Sequence, residues 1–134
     1  MAFGNLKFDT LTTSDSANTS TEKSLDTSYV FNGTAKAWVH YGTITSTAIR
    51  DSFNISSLDD TATGKTVVHI SNDFVNDDYC ATMYNNAHSS SFDNQYTGGL
   101  WDRNVGDLDV WTHGSSGYAD SSLCDVLFHG DLAW

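Results

Sequence analysis

The sequence predicts an all-β fold, an antiparallel β-sandwich of jelly-roll-like type that follows an extended N-terminal arm. Three observations lead to this prediction. Short runs alternate between apolar and polar side chains, turn-forming Gly, Asn, Asp and Ser separate the runs, and no segment shows the 3.6-residue period of an amphipathic helix. The chain of 134 residues contains no proline, so these residue types must supply its turns. It is long enough for a single hydrophobic core.

Residues 1–28 form the predicted arm, and residues 29–134 form the predicted sandwich domain. A candidate strand covers residues 5–13, but 11 of the 19 residues from Thr10 to Ser28 are Ser or Thr. Such a segment cannot bury enough apolar surface to offset its own ordering. It is therefore either a disordered tail or an arm that orders only against a neighbouring subunit or a larger assembly. The apolar side chains expected to mediate oligomerisation or attachment are Phe3, Leu6, Phe8 and Leu11.

The central stretch begins with Asn32-Gly33, a strong hairpin signal, and alternates from Ala35 to Tyr41. A second alternating run extends from Ile49 to Ile55 and is expected to end at Ser56-Ser57. The remaining candidate strands are Lys65–Asn72, Tyr79–Tyr84, Leu100–Arg103, Leu108–His113 and Leu123–Leu132. The core is predicted to include Trp38, Phe53, Val68, Ile70 and Phe128.

Two long polar loops, residues 85–99 and 113–122, carry aromatic side chains that strand alternation does not explain. Loops on a rigid sheet are a common place for recognition, so residues 85–122 are predicted to form the outward face. Aromatic rings beside polar groups suit sugar stacking and hydroxyl recognition. The candidate ligand contacts are His88, Phe92, Asn94, Tyr96 and Tyr118. The alternative is that Tyr96 and Trp101 pack beneath their own loops, and for Trp101 this is the prediction.

No catalytic or metal centre is predicted. Most of the aspartates stand beside Gly, Asn, Ser or Thr, where they cap turns, and Glu22 is the only glutamate. Residues 102–109 resemble a calcium loop superficially, but the glycine is misplaced and no glutamate closes the loop, which leaves a weak surface site open. The five histidines lack metal-ligand spacing. Cys80 and Cys124 are expected to be reduced thiols, and no cofactor is expected.

Charge excludes one class of partner. There are 17 acidic residues against six basic ones, a net charge of −11. Such a chain repels nucleic-acid phosphates, so nucleic-acid binding is not expected. No stretch reaches the roughly 20 apolar residues of a membrane helix, and no secretory signal is recognised, so no membrane partner is expected.

Four segments carry a resemblance to a known family: MAFGNLKFDTLTTS at residues 1–14, KAWVHYG at 36–42, IRDSFNISSLDD at 49–60 and VLFHGDLA at 126–133. Together they resemble small tail-fibre-like virion structural proteins of marine bacteriophages. The resemblance touches the start, centre and end of the chain, but not residues 85–122. It implies a non-enzymatic structural protein in the virion, assembled in the host cytoplasm.

The resemblance further implies a fibre or spike appendage that acts as a host-surface adhesin. Its expected partners are copies of itself in a homotrimer, other virion proteins through the arm, and a host-surface glycan. Two alternatives stay open. One is a capsid-surface decoration or head-fibre protein without a ligand, and the other is a small glycan depolymerase.

Overall fold

The computed structural model of the chain describes residues 9–12, 24–86 and 97–133. They fall into two compact units, the first ending at Thr34 and the second beginning at Ala35. The boundary expected after residue 28 therefore lies inside the first unit.

In the first unit, residues 9–12 and 24–34 include two short strands and a helix. Strand β1 (Thr10–Thr12) pairs antiparallel with strand β2 (Ser24–Asp26), and helix α1 (Thr27–Gly33) follows directly. This helix was not predicted from the sequence, because seven residues are too few to show a helical period. The residue that marks the start of the helix in the sequence is its N-cap, Asp26. The Asp26 carboxylate accepts a hydrogen bond from the Ser28 N–H at 2.7 Å, and this bond lowers the pKa of Asp26.

The described residues of the second unit form nine strands. They are β3 (Ala37–Gly42), β4 (Ala48–Phe53), β5 (Ile55–Ala62), β6 (Lys65–Ile70), β7 (Cys80–Asn86), β8 (Thr97–Asn104), β9 (Asp107–Gly114), β10 (Gly117–Tyr118) and β11 (Leu123–His129). One sheet has the order β4-β3-β11-β7, and the other joins β5, β6, β9, β8 and β10. Every pairing is antiparallel. The predicted all-β antiparallel sandwich is confirmed.

Strand β9 organises the five-stranded sheet. Its residue His113 pairs with both Thr97 of β8 and Tyr118 of β10, and its residue Trp111 pairs with both Gly99 of β8 and Lys65 of β6. Because a strand has only two edges, β8 occupies one edge of β9, while β6 and β10 share the other.

The core lies between the two sheets and follows the two-residue period of the strands. The buried apolar side chains are Ala37, Val39, Tyr41, Val68, Ile70, Phe74, Tyr79, Leu108, Val110, Cys124, Val126 and Phe128. The prediction that Val68, Ile70 and Phe128 are buried is confirmed. Cys124 belongs to this core and Cys80 is exposed; both are free thiols.

Two predicted core residues, Trp38 and Phe53, are not in the core. Trp38 is partly buried and Phe53 is 55% exposed. The two residues pair across β3 and β4 on the outer face of the four-stranded sheet. Strand β3 turns Ala37, Val39 and Tyr41 inward, so its alternation leaves Trp38 outside. Strand β4 is an edge strand, which leaves the Phe53 ring covered on one side only.

The chain crosses from one sheet to the other at Asn54, earlier than the expected break at Ser56-Ser57. Asn54 has a positive φ of 57°, a conformation that asparagine tolerates better than most residues. Its side-chain oxygen accepts a hydrogen bond from the Asn72 N–H at 2.8 Å, and its amide donates to the carbonyls of Lys36 and Asn72. These bonds fix a corner between β4 and β5.

No helix in the described parts of the chain is long and apolar enough to cross a membrane.

Candidate functional site

A groove of about 280 Å³ lies on the outer face of the five-stranded sheet. On β6 and β9 the inward side chains, among them Thr66 and Val110, are buried, so the alternate residues face the groove. The side chains that line it include Thr61, Lys65, Trp101, Asp109, Trp111 and Tyr118. This surface is called the aromatic groove below.

Trp111 owes its position to a glycine on the neighbouring strand. Gly99 of β8 pairs with Trp111 of β9. A Cβ atom at Gly99 would lie 2.4 Å from the Trp111 ring, closer than any side chain allows. The indole therefore rests directly on the backbone of β8, and only glycine gives it that room.

Tyr118 completes an aromatic cluster beside Trp111. The ring of Trp111 meets that of Tyr118 edge-on, with 6.4 Å between centroids, and the ring of His113 lies 5.6 Å from that of Tyr118. The Lys65 ammonium lies 4.6 Å from the centroid of the Tyr118 ring, within the range of a cation–π interaction. These contacts hold Tyr118 although it is 52% exposed.

Trp101 is the most exposed aromatic residue in the groove. The pairing of β8 with β9 is irregular between Leu100 and Arg103, and Trp101 lies within this irregularity. Such bulges redirect side chains. The Trp101 side chain is 80% exposed, so the prediction that it packs beneath its own loop is wrong.

The groove offers one acidic and one basic side chain. Asp109 accepts no hydrogen bond from the described residues, and no described carboxylate lies within ion-pair distance of Lys65. Thr61 is engaged, since its hydroxyl donates to the Lys65 carbonyl at 3.2 Å. Among the described residues, the groove thus presents a carboxylate without a hydrogen-bond donor and an ammonium whose described contact is the Tyr118 ring, a combination that suits a hydroxylated ligand.

In the part of the chain that the structure describes, no group of three or more His, Cys, Asp or Glu residues is close enough to hold a metal ion. The calcium-like stretch 102–109 forms the β8–β9 hairpin, and its Asn104 amide donates to the Asp107 carboxylate at 2.8 Å. Two histidines are paired: His40 with Asp125 at 2.6 Å, and His69 with Asp59 at 3.0 Å.

The structure places only part of the predicted site. Tyr118 is in the aromatic groove. The other candidate contacts lie outside the described residues, namely His88, Phe92, Asn94 and Tyr96. Of the predicted attachment residues, Leu11 lies in β1 and is exposed, while Phe3, Leu6 and Phe8 are outside the described residues.

Sequence reasoning missed Lys65, Asp109 and Trp111 as groove residues. The signal was present in β9, where Asp109 and Trp111 alternate with the apolar Leu108 and Val110. An outward tryptophan next to an outward aspartate on a two-faced strand is the feature of the sequence that marks this part of the groove.

Comparison of the chain with protein-family models, with curated proteins and with solved structures finds no significant match.

Proposed function

We propose that this chain is a non-enzymatic virion component, a fibre- or spike-type appendage whose sandwich binds a host-surface glycan. The observation that carries the binding function is the aromatic groove. Three rings, those of Trp101, Trp111 and Tyr118, line an open surface that also carries the Asp109 carboxylate and the Lys65 ammonium. The virion context rests on the resemblance of the four sequence segments to bacteriophage tail-fibre-like proteins.

The groove has the physical properties that a saccharide requires. Its volume of about 280 Å³ is close to the lower end, roughly 300 Å³, of small-molecule sites. The aliphatic faces of sugars stack on indole and phenol rings, and their hydroxyls bond to carboxylate and ammonium groups. Contacts with Gly99 and with each other hold the rings of Trp111 and Tyr118, so the ligand meets a surface that is preorganised at these two residues.

A single short saccharide on an open groove binds weakly, on the order of millimolar, and several linked copies raise the overall affinity. This favours the proposal that the appendage is a homotrimer, since fibres form by closed cyclic symmetry about their axis. The N-terminal unit would provide self-association or attachment to other virion proteins, because its described residues include exposed apolar side chains, Leu11, Leu25, Tyr29, Val30 and Phe31.

Binding to an array of bacterial surface glycans tests the proposal. The Trp101→Ala and Trp111→Ala variants should each bind at least about tenfold more weakly than the wild type, because each loses a stacking ring. Tyr84→Ala is the matched control: Tyr84 is 59% exposed on β7, in the other sheet. Equal binding by all variants would mean that the glycan does not bind in the aromatic groove. The absence of any glycan ligand would favour a decoration protein.

A further inference from the structure

We infer that the ligand of the aromatic groove is electrically neutral, an uncharged sugar with adjacent hydroxyls. The inference rests on the proposed function and adds the chemical class of the ligand. It follows from the positions of Asp109 and Lys65, each of which disfavours one sign of charge.

Asp109 disfavours anionic sugars. Its carboxylate faces the groove from β9, and none of the described Lys or Arg side chains lies within ion-pair distance of it. A uronate bound there would bring a second carboxylate close to Asp109 in a partly desolvated site. The chain as a whole carries a net charge of −11, which adds to the repulsion.

Lys65 disfavours cationic ligands. Aromatic clusters with a nearby carboxylate commonly bind quaternary ammonium groups, which lie over the ring faces. Here the Lys65 ammonium is itself 4.6 Å from the centroid of the Tyr118 ring, so a cation of the chain already occupies that position. A second cation at the Tyr118 ring would meet like charge there.

A neutral sugar satisfies both groups. Lys65 pairs with Trp111 across β6 and β9, and Asp109 is two residues from Trp111 on the same face. The acceptor, the donor and the stacking ring are therefore neighbours. A carboxylate accepts hydrogen bonds from two adjacent hydroxyls, and an ammonium donates to a hydroxyl or ring oxygen. A ring stacked on Trp111 would present its hydroxyls to both side chains.

The experiment uses the full chain and a glycan array in which each backbone occurs in neutral, uronate and amine-bearing forms. The wild type should bind neutral members most strongly. Asp109→Asn should weaken neutral binding roughly tenfold, by the loss of charge-assisted hydrogen bonds, and raise the relative binding of uronates. Lys65→Met should raise the relative binding of amine-bearing members. Asp77→Asn, an exposed loop position outside the groove, controls for the change in net charge.

The possible failures are distinguishable. Preference of the wild type for uronates or amines would overturn the neutral-ligand inference and leave glycan binding intact. The neutral-ligand inference would also be overturned if Asp109→Asn changed the ratio of neutral to uronate binding no more than Asp77→Asn does. If no member of the array binds, the proposed function fails, and the ligand class fails with it. Thermal unfolding shows whether each variant is folded, and for an unfolded variant the wild-type preference alone decides.

Discussion

The hydroxyl of Tyr79 donates a hydrogen bond to the Asp107 carbonyl at 3.0 Å, and its ring stacks on Phe74 with 4.5 Å between centroids. Burial raises the pKa of Tyr79 to about 12, although the nearby Arg103 opposes the shift. The unfolded chain releases this proton near pH 10. The neutral form therefore stabilises the fold fully below about pH 10, and that contribution is lost as the pH rises towards 12.

We predict that Tyr79→Phe reduces the alkaline loss of stability. Denaturant unfolding at several pH values between about 9 and 12 should show a smaller fall in unfolding free energy than in the wild type. Some fall should persist, because burial also raises the pKa of Tyr41. Tyr84→Phe, at an exposed position, should behave as the wild type does. The same fall in Tyr79→Phe as in the wild type would contradict the assignment.

At the level of single residues, the sequence predicted burial where strand alternation is unambiguous and failed where both faces carry large side chains. Val68, Ile70 and Phe128 were predicted correctly. In β3, Ala37, Val39 and Tyr41 lie on one face and Trp38 lies on the other. The large size of Trp38 led to the prediction that its face is buried, whereas the structure buries the opposite face. The position of Trp111 depends on Gly99. The two residues become neighbours only through the pairing register of β8 and β9, which the sequence does not show.

Among the elements, strand position decides what a phenylalanine contributes. Phe128 lies on β11, between β3 and β7, and is fully buried, with its ring 5.8 Å from that of Tyr79. Phe53 lies on the edge strand β4 and is 55% exposed. The same Phe→Ala change removes a core ring at one position and a surface ring at the other.

We predict that Phe128→Ala lowers the unfolding free energy by about 3–5 kcal/mol, as large-to-small core changes do, and that Phe53→Ala lowers it by less than about 1 kcal/mol. Each variant serves as the control for the other in denaturant unfolding, since the chemical change is identical. Similar losses for the two variants would mean that the outer face of the four-stranded sheet is covered in solution.

The corner between β4 and β5 at Asn54 could not be predicted from the sequence, because the contacts that fix it are distant in the chain. Ile49, Phe53 and Ile55 stand at alternate positions from Ile49 to Ile55, with Asp51 as the one polar residue in that register, so the local pattern predicts one continuous strand. The bonds that fix the corner join Asn54 to Lys36 and Asn72, each 18 positions away in the chain. A contact between residues so far apart in the chain leaves no local sequence pattern. The β8–β9 hairpin was predictable, because its two strands are joined by the short turn Val105-Gly106.

For the whole molecule, the two units differ in what they bury. All the core residues of the described chain lie between Ala37 and Phe128, within the second unit. Helix α1 in the first unit has no buried residue, and Tyr29 is 71% exposed. An isolated helix of this length is not stable in water, so packing must stabilise it. Its sequence, TSYVFNG, is uncharged within a chain of net charge −11, which suits contact with another copy.

We predict that a chain beginning at Ala35 folds but no longer forms the proposed homotrimer. Light scattering should give the mass of a monomer, while the full chain gives that of three copies. The unfolding transition of the truncated chain should remain cooperative, because every core residue of the described chain lies within it. A full-length variant with Tyr29→Ser and Val30→Ser is the matched test, since it removes two exposed apolar side chains and keeps the chain length. A truncated chain with the same assembly mass as the full chain would place the self-association surface on the sandwich, where Phe53 and Leu127 leave exposed apolar area.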